Sequence, residues 1–267
     1  MTIQQVIDAI LAYHPKIDLP VTCDGFKCGD PLDECKGIVT TCMASVDVIR
    51  KTAELGYNLI ICHEPTFYTH MDKTDWLEGK NEVYDEKRRF IDENGIAIWR
   101  DHDHIHAHRP DGIFLGVMKE LGWEEYLVND PDRPRFFRLP KTTVRELARF
   151  LREKMELNGV RVIGNVDAEV STVAFGGHAY PTVPEQNATN LLNTVDVLIP
   201  GELIDWTVTS YARDAAQLGK HKAILHVGHF SMEELGMKYA VNWIKELVGP
   251  DIPVRFVRSG DPYNYLF

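Results

Sequence analysis

The sequence predicts an α/β fold of two α/β units, each built on a mostly parallel mixed sheet that is flanked by helices. Strand-like runs such as Leu59 to Cys62 are continuously apolar, which is typical of parallel strands covered on both faces. Amphipathic helical patterns alternate with these runs along the chain, as they do in βαβ units. A run rich in proline and turn formers, residues 128–134, marks a junction between the two units.

The first part of the chain is predicted to begin with an amphipathic helix and to continue as a βαβ unit. Thr2 and Gln5 have the spacing of a capping box for the opening helix, and a loop with three cysteines follows it. Ser45 is placed as the N-cap of the next helix. The elements predicted after the loop are strands over 37–43, 58–62 and 96–100 and helices over 45–56, 85–94 and 112–121.

Between residues 134 and 221 the pattern predicts a second α/β unit, and further strand and helix patterns follow it. Thr143 and Glu146 form a capping box for a helix that Gly159 closes, and Ser231 and Glu234 form one for the last long helix. The other predicted elements are strands over 136–139, 160–163, 172–175, 195–199, 223–227 and 254–257 and helices over 185–192, 204–218 and 231–248.

Composition and charge exclude several classes of protein. The chain has 267 residues, of which 44% are hydrophobic, enough for one large or two smaller domains. We divide it into a first domain of residues 1–128 and 222–267 and a second domain of residues 129–221. A formal net charge of −11 without a basic patch argues against direct binding to nucleic acid or to an anionic membrane.

The lack of a recognisable targeting signal and the pattern of cysteines predict a cytoplasmic protein. The N-terminus lacks the features of a signal peptide, and no apolar run approaches the roughly 20 residues that span a bilayer. Five cysteines, an odd number without a Cys-x-x-Cys spacing, indicate reduced thiols. Cys62 has two interpretations, a packed strand residue or a group that faces a metal, and its small apolar side chain favours packing.

Three predicted strands end in histidine and carboxylate residues. The segments are Cys62-His63-Glu64-Pro65, His102-Asp103-His104-Ile105-His106 and Gly228-His229-Phe230-Ser231-Met232-Glu233. In open α/β sheets, ligands bind beyond the carboxyl ends of the strands, where such side chains converge. Imidazole and carboxylate groups suit zinc, manganese or iron. The sequence therefore predicts a metal centre formed by the three segments.

The first segment favours a dinuclear centre. A turn at Pro65 would let His63 and Glu64 each face one of two neighbouring ions. The alternative for Glu64 is a solvated acid in a loop. In the second segment, an extended chain would place the histidines on one face and the aspartates on the other, so one ion cannot bind all of them. The alternative there is a solvated polar loop with at most one ligand.

The third segment separates two acidic residues by role. Glu234 belongs to the predicted capping box, whereas Glu233 is left to point at a metal near the positive end of the helix. His229 lies four residues before Glu233 and is predicted to bind the same centre.

Four motifs carry a resemblance to a known family. They are Leu59-Ile60-Ile61-Cys62-His63-Glu64-Pro65, the strand into His102 to His106, Pro200-Gly201-Glu202, and Gly228-His229 followed by Glu233. The set resembles the Nif-three-like (NGG-one-interacting factor three) dinuclear-metal proteins, often labelled type 2 GTP cyclohydrolase I homologues. The resemblance spans most of the chain and implies a homohexameric ring with sites facing an inner cavity. It also implies metal ligation by His63, His229 and Glu233, with Glu202 near the cleft.

Two positions depart from the family pattern. Glu64 stands where the family usually has a second histidine, and His106 stands where alignment of the strand places an aspartate. Together the exchanges leave the summed charge of the ligands unchanged, which indicates a rearranged site. Since the missing aspartate is a natural bridge between two ions, Glu64 or Glu233 would have to bridge them. A shift of register that makes Asp103 the ligand in place of His106 is the competing interpretation.

The leading hypothesis is a hydrolase that uses two divalent ions, with zinc, manganese or iron as the metal. The predicted ligands are His63, Glu64, His106, His229 and Glu233. His102 or His104 would move protons or orient a ligand, because imidazole titrates near neutral pH. A small phosphate ester, nucleotide or cyclic amide fits as substrate, and the lack of a glycine-rich phosphate loop argues against GTP itself.

The rival hypothesis is a metal-binding adaptor or regulator whose ions stabilise a ring assembly without catalysis. A third hypothesis is a scaffold that has lost its metal. Coordination closed by protein ligands would favour the adaptor, whereas an open position for water would favour the enzyme.

Overall fold

Helices alternate with short apolar strands in the computed structural model of the chain, which describes residues 1–128, 130–177 and 184–266. The chain divides into two units. The first combines Met1–Gly116 with Glu234–Ser259, and the second combines Val117–Glu233 with Gly260–Phe267. The domain limits at residues 128 and 222 stay a prediction, and Asn129 at the predicted junction lies outside the described residues.

The described strands, in chain order, are Gly25–Cys28 (β1), Ile38–Thr41 (β2), Leu59–Cys62 (β3), Ala97–Arg100 (β4), Phe136–Thr143 (β5), Arg161–Gly164 (β6), Glu169–Phe175 (β7), Val197–Ile199 (β8), Ala223–His226 (β9) and Val254–Phe256 (β10). They form one mixed sheet in each unit, and both sheets are flanked by helices. The predicted fold class is therefore confirmed.

The described helices are Ile3–Tyr13 (α1), Val46–Glu54 (α2), Glu82–Glu93 (α3), Asp103–Ala107 (α4), Gly112–Leu121 (α5), Val144–Lys154 (α6), Pro184–Thr194 (α7), Val208–Gln217 (α8) and His229–Val248 (α9), with a 3₁₀ turn at Glu124–Tyr126. Both predicted capping boxes at the starts of α1 and α6 are confirmed, and Ser45 caps α2. Among these helices, none is both long and apolar enough to cross a membrane.

The sheet of the first unit has the strand order β1-β4-β3-β2-β10. Strands β2, β3 and β4 are buried along their whole length, and they run parallel to one another and to β10. The register pairs Cys62 with Arg100. His63 and Asp101, which directly follow these two residues, therefore leave the sheet side by side at its carboxyl edge.

The sheet of the second unit has the strand order β5-β7-β8-β9-β6. Its three central strands are parallel, and the edge strands β5 and β6 are antiparallel to their neighbours. Apolar side chains of α7 and α8 pack with the sheet around Leu192, Leu198, Val208 and Ile224. The carboxyl ends of β8 and β9 lead directly into the Pro-Gly-Glu segment and the start of α9.

Strand β1 was not predicted, because its residues fall in the loop with three cysteines. It forms by pairing antiparallel with β4, and Gly25 lies opposite Arg100. A pairing partner so distant in the sequence leaves no local pattern to detect.

Two predicted helix ends are wrong. Helix α6 ends at Lys154, well before Gly159, and Glu156 adopts a φ of 49° just beyond it. Gly159 is explained by packing instead, since a Cβ there would lie 2.6 Å from Cε2 of Tyr265. Helix α9 begins at His229, two residues before the predicted cap at Ser231.

Glu234 does not cap α9. Its carboxylate accepts hydrogen bonds from the amide of Ser259, at 2.5 Å, and from Nε of Arg258, at 3.1 Å. The contact ties α9 to the segment that follows β10 within the first unit. Glu234 has the spacing of a capping residue, but it forms an ion pair with Arg258, 24 residues away in the sequence.

Candidate metal centre

Three histidines come together in the first unit. His63 directly follows β3, His102 is the N-cap residue of α4, and His106 lies one turn further along α4. Residues four apart share a helix face, so His102 and His106 point the same way. The predicted extended chain at 102–106 is wrong, and so is the expected single face for its three histidines.

The three rings lie close enough to share one ion. Ring centroids are 4.6 Å apart for His63 and His102, 4.9 Å for His63 and His106, and 5.0 Å for His102 and His106. One ligand nitrogen from each ring lies within 4.8 Å of the other two. His63 is buried and the other two are half-buried. This group of residues could therefore hold a metal ion.

The orientation of each ring is fixed through its Nδ1 atom. The contacts are His63 with the main-chain oxygen of Asp101 at 2.9 Å, His102 with Asp103 Oδ1 at 3.0 Å, and His106 with Asp111 Oδ2 at 3.0 Å. Carbonyl and carboxylate oxygens only accept, so Nδ1 carries the proton in all three rings. In a neutral imidazole the lone pair is then on Nε2, which is the arrangement found in metal-binding histidines.

The surroundings of His102 keep its imidazole neutral and keep the carboxylate of Asp103, which contacts it, ionised. Burial lowers the pKa of His102 to about 3, and the neighbouring His63 and His106 act in the same direction. Burial alone raises the pKa of Asp103, but hydrogen bonds from Thr22 and His102 outweigh it, so this pKa lies well below its ordinary value. At neutral pH His102 therefore offers a lone pair, and Asp103 accepts its Nδ1 proton.

Asp24 supports α4 from a distant part of the sequence. Its carboxylate accepts hydrogen bonds from the main-chain N–H groups of His102, Asp103 and His104 at 2.8 to 2.9 Å. It also lies 2.6 Å from Nδ1 of His104. Asp24 thus satisfies the first amides of the helix and fixes the ring of His104 by a separate contact. No local pattern in the sequence singles out Asp24.

Glu64 lies against a buried cation. Oε2 of Glu64 is 3.5 Å from Nη2 of Arg100, and Oδ2 of Asp72 is 3.7 Å from Nη1. The same guanidinium donates to the main-chain oxygens of His63 and His70, at 2.9 and 2.5 Å. Arg100 is fully buried, so it fixes the loop that follows His63.

A second group of ligand types overlaps the histidine cluster. Cys23, His102 and Asp103 also have ligand atoms within 4.8 Å of one another. Burial raises the pKa of the Cys23 thiol to about 12, so binding through sulfur requires the loss of a firmly bound proton. Asp103 supports His102, whereas His106 groups with His63. The choice between Asp103 and His106 as a ligand stays a prediction.

The second unit places Glu202, His229 and Glu233 together. Nδ1 of His229 is 2.5 Å from Glu202 Oε1, and Nε2 is 3.0 Å from Glu233 Oε2. Because carboxylates only accept, the contact with Glu202 fixes a proton on Nδ1 of His229 and sets the orientation of the ring. The prediction that His229 and Glu233 share a centre with His63 stays a prediction.

Comparison with known proteins gives the family. Residues 1–262 match the sequence model of Duf34/NIF3 (NGG1p interacting factor 3). Staphylococcus aureus protein SA1388 is similar in structure, with a TM-score of 0.70 and 17% identity over 100% of this chain and 99% of that chain. A Bacillus cereus protein related to NIF3 has a TM-score of 0.72 and 14% identity over 100% and 99% of the two chains.

A third similar structure is reduced HcgD from Methanocaldococcus jannaschii, with a TM-score of 0.62 and 18% identity over 96% of this chain and 97% of that chain. At such identities the structural likeness establishes the fold alone. No curated protein matches the chain by sequence. The family match, in contrast, covers almost all of the chain and confirms the resemblance seen in its motifs. The chain therefore belongs to the Duf34/NIF3 (NGG1p interacting factor 3) family.

Proposed function

We propose that the protein is a divalent-metal-dependent hydrolase that acts on a small phosphorylated, nucleotide or cyclic amide substrate. The observation that supports it is the set of three imidazoles, His63, His102 and His106, whose Nδ1 atoms all have acceptors. That arrangement leaves three Nε2 lone pairs for one ion. The ring nitrogens suit zinc or iron, and manganese is kept as a third possibility.

Three protein ligands are typical of a catalytic zinc site, because a fourth position remains open for water. When bound there, a divalent ion lowers the pKa of a water molecule and polarises a substrate oxygen. The chain supplies the orientation. Asp103, Asp111 and the main chain at Asp101 fix the three rings, and Arg100 fixes the loop after His63.

A second ion belongs to the same proposal. Its ligands would come from Glu64, His229 and Glu233, as the family resemblance and the sequence suggest. His102 then acts as a metal ligand. His104, which contacts Asp24, is the residue proposed to move protons.

Assembly and location are also part of the proposal. We infer a homohexameric cytoplasmic protein, on the family resemblance and on the odd number of cysteines, which indicates reduced thiols. Sedimentation equilibrium of the metal-loaded protein would test the assembly, and a monomer at micromolar concentration would contradict it.

The test of catalysis uses protein loaded in turn with zinc, manganese and iron. The substrates are p-nitrophenyl phosphate, nucleoside monophosphates and a dihydropyrimidine as the cyclic amide. We expect turnover of at least one substrate, and a decrease of kcat/KM of about 100-fold or more in His106→Gln. His221→Gln changes an exposed histidine of the second unit and is the matched control.

Two results would contradict the proposal. Equal activity in His106→Gln and in the control would remove His106 from the site. A protein that binds metal stoichiometrically but turns over none of these substrates would favour the adaptor instead.

A further inference from the structure

A cavity of about 290 Å³ opens in the second unit beside His229. Its wall includes a cation, an acid, other polar side chains and aromatic rings. Among them are Arg161, Glu202, His226, Ser231, Phe230 and Tyr263. The volume suits a small organic molecule and is too small for a protein segment.

The cation of the cavity comes from the edge strand β6. Arg161 lies directly opposite His226 of β9 in the sheet register, and both side chains line the cavity. His226 is buried, with 6% of its surface exposed. The guanidinium has a weak partner in Asp205, 3.5 Å away, whose side chain is 81% exposed. A pair in that setting is easily displaced by a better-placed anion.

The start of α9 forms another part of the wall. Gly228, with a φ of 89°, precedes the 20-residue helix, and its residues His229, Phe230 and Ser231 line the cavity. The first main-chain N–H groups of a helix have no acceptor within the helix, so they favour binding of an anion at its start. Glu202 also lines the cavity, but its Oε1 is directed at Nδ1 of His229, 2.5 Å away.

An aromatic face closes the cavity on the side of the C-terminal segment. Tyr263 lies so close to Gly228 that a Cβ at 228 would be 3.0 Å from Cε2 of the ring. Asn158 anchors this segment. Its side-chain Nδ2 donates to the main-chain oxygen of Tyr263 at 2.8 Å, and its main-chain N–H donates to Oδ2 of Asp261 at 2.9 Å. Tyr263 is 46% exposed, and its ring offers a face for stacking.

We propose that this cavity binds a small molecule with an oxyanion, a phosphate monoester or a carboxylate, attached to a flat ring. Arg161 and the start of α9 bind the oxyanion, and Tyr263 stacks on the ring. As a substrate site, the cavity rests on the proposed hydrolase function. Binding itself uses the guanidinium of Arg161, main-chain amides and the ring of Tyr263, none of which is a proposed metal ligand, so it can be measured without a metal.

The experiment measures binding by isothermal titration calorimetry to the full chain after treatment with EDTA. The probes are phenyl phosphate, benzoate and, as the neutral analogue, phenol. We expect at least one of the two oxyanions to bind with a Kd below ~5 mM, and phenol not to bind in that range. The oxyanion that binds more tightly identifies the group the cavity prefers.

Two variants with opposite expected effects keep the test independent of folding. Arg161→Gln should weaken the oxyanion about tenfold or more, and Asp205→Asn should strengthen it, because the competing carboxylate is gone. Arg145→Gln is the matched control, since this arginine is an exposed partner of Asp167 in the same unit. Tyr263→Leu should weaken phenyl phosphate or benzoate but leave inorganic phosphate unchanged.

Failure to bind either oxyanion, or equal affinity in Arg161→Gln and the control, would overturn the proposal. Because no metal is present, that result would leave the hydrolase proposal standing. Conversely, if the protein binds an oxyanion but hydrolyses none of the substrates, the proposed cavity site stands and the hydrolase proposal is rejected.

Discussion

His63 and Asp101 follow two adjacent parallel strands, and Nδ1 of His63 lies 2.9 Å from the main-chain oxygen of Asp101. The register of β3 and β4 thus decides which nitrogen of His63 carries the proton. The main-chain oxygen of Asp101 is held by the strand that precedes it and cannot rotate away as a side chain can. The tautomer that leaves Nε2 for a metal is therefore built into the sheet.

The carboxylate of Asp111 should control metal affinity through His106. Asp111→Asn removes the charge that accepts the Nδ1 proton, so we expect the affinity for zinc to fall between about tenfold and 100-fold. Asparagine can still accept from the amides of Ile113 and Phe114, which Asp111 caps at 3.1 Å, so the helix start is preserved. Competition with a chromophoric chelator measures the affinity.

Asp8→Asn is the control for this experiment, because Asp8 is exposed on α1. An unchanged zinc affinity in Asp111→Asn, with the same thermal stability as the control, would show that His106 does not bind the ion.

Asp24 should make the stability of the first unit sensitive to acid. Asp24→Ala removes the acceptor of three amides, and we expect a loss of about 3 kcal/mol at pH 7. Burial alone raises the pKa of Asp24, but the hydrogen bonds from His104 and Asp103 outweigh it and lower the pKa. A lowered pKa means that the contribution is complete above the unfolded value of about 4 and is lost as the pH falls further.

Urea unfolding of EDTA-treated protein between pH 7 and pH 3 would measure this effect. The difference between wild type and Asp24→Ala should stay constant down to about pH 4 and shrink below it. The same difference at pH 7 and pH 3 would contradict a role for the ionised carboxylate.

Arg100 should be far more important for stability than an exposed arginine of the same unit. Arg100→Leu leaves Glu64 and Asp72 without this buried cation, and we expect a loss of about 3 to 5 kcal/mol. Arg88→Leu removes a partly exposed pair with Asp92 on α3, and the expected loss is below about 1 kcal/mol. Chemical denaturation of both variants tests the contrast, and similar losses would refute it.

Gly159 and Tyr265 should be coupled. Gly159→Ala places a methyl group 2.6 Å from the ring of Tyr265, so we expect a loss of about 1 to 3 kcal/mol. In the background of Tyr265→Ala the same change should cost less, because the obstructing ring is absent. A double-mutant cycle by thermal denaturation measures the coupling, and strictly additive losses would show that the close contact is not the cause.

The fold could be predicted largely from local patterns. Strand β3 is a continuous apolar run, and the capping boxes at Thr2 and Thr143 are short-range signals, so the sequence alone indicated them. Strand β1 and the role of Gly159 depend on partners far away in the chain, β4 and Tyr265. Such contacts leave no pattern in one sequence.

Part of the local structure around the candidate site could be predicted in the same way. His63 was recognisable because it follows a buried strand. The extended conformation predicted for 102–106 is wrong because β4 ends at Arg100 and a helix follows it. Asp24, 80 residues from His104 in sequence, accepts the first amides of α4 and lets a helix begin at once. The change from extended to helical spacing then joins His102 to His106 and turns His104 towards Asp24.

The most direct test of the account is the anomalous difference map of a crystal grown from zinc-replete protein. The account predicts a peak about 2.0 to 2.1 Å from Nε2 of His63, His102 and His106, with each Nδ1 still bonded to its acceptor. A map without a peak among these three nitrogens, or an ion bound through Nδ1 of any of them, would contradict it.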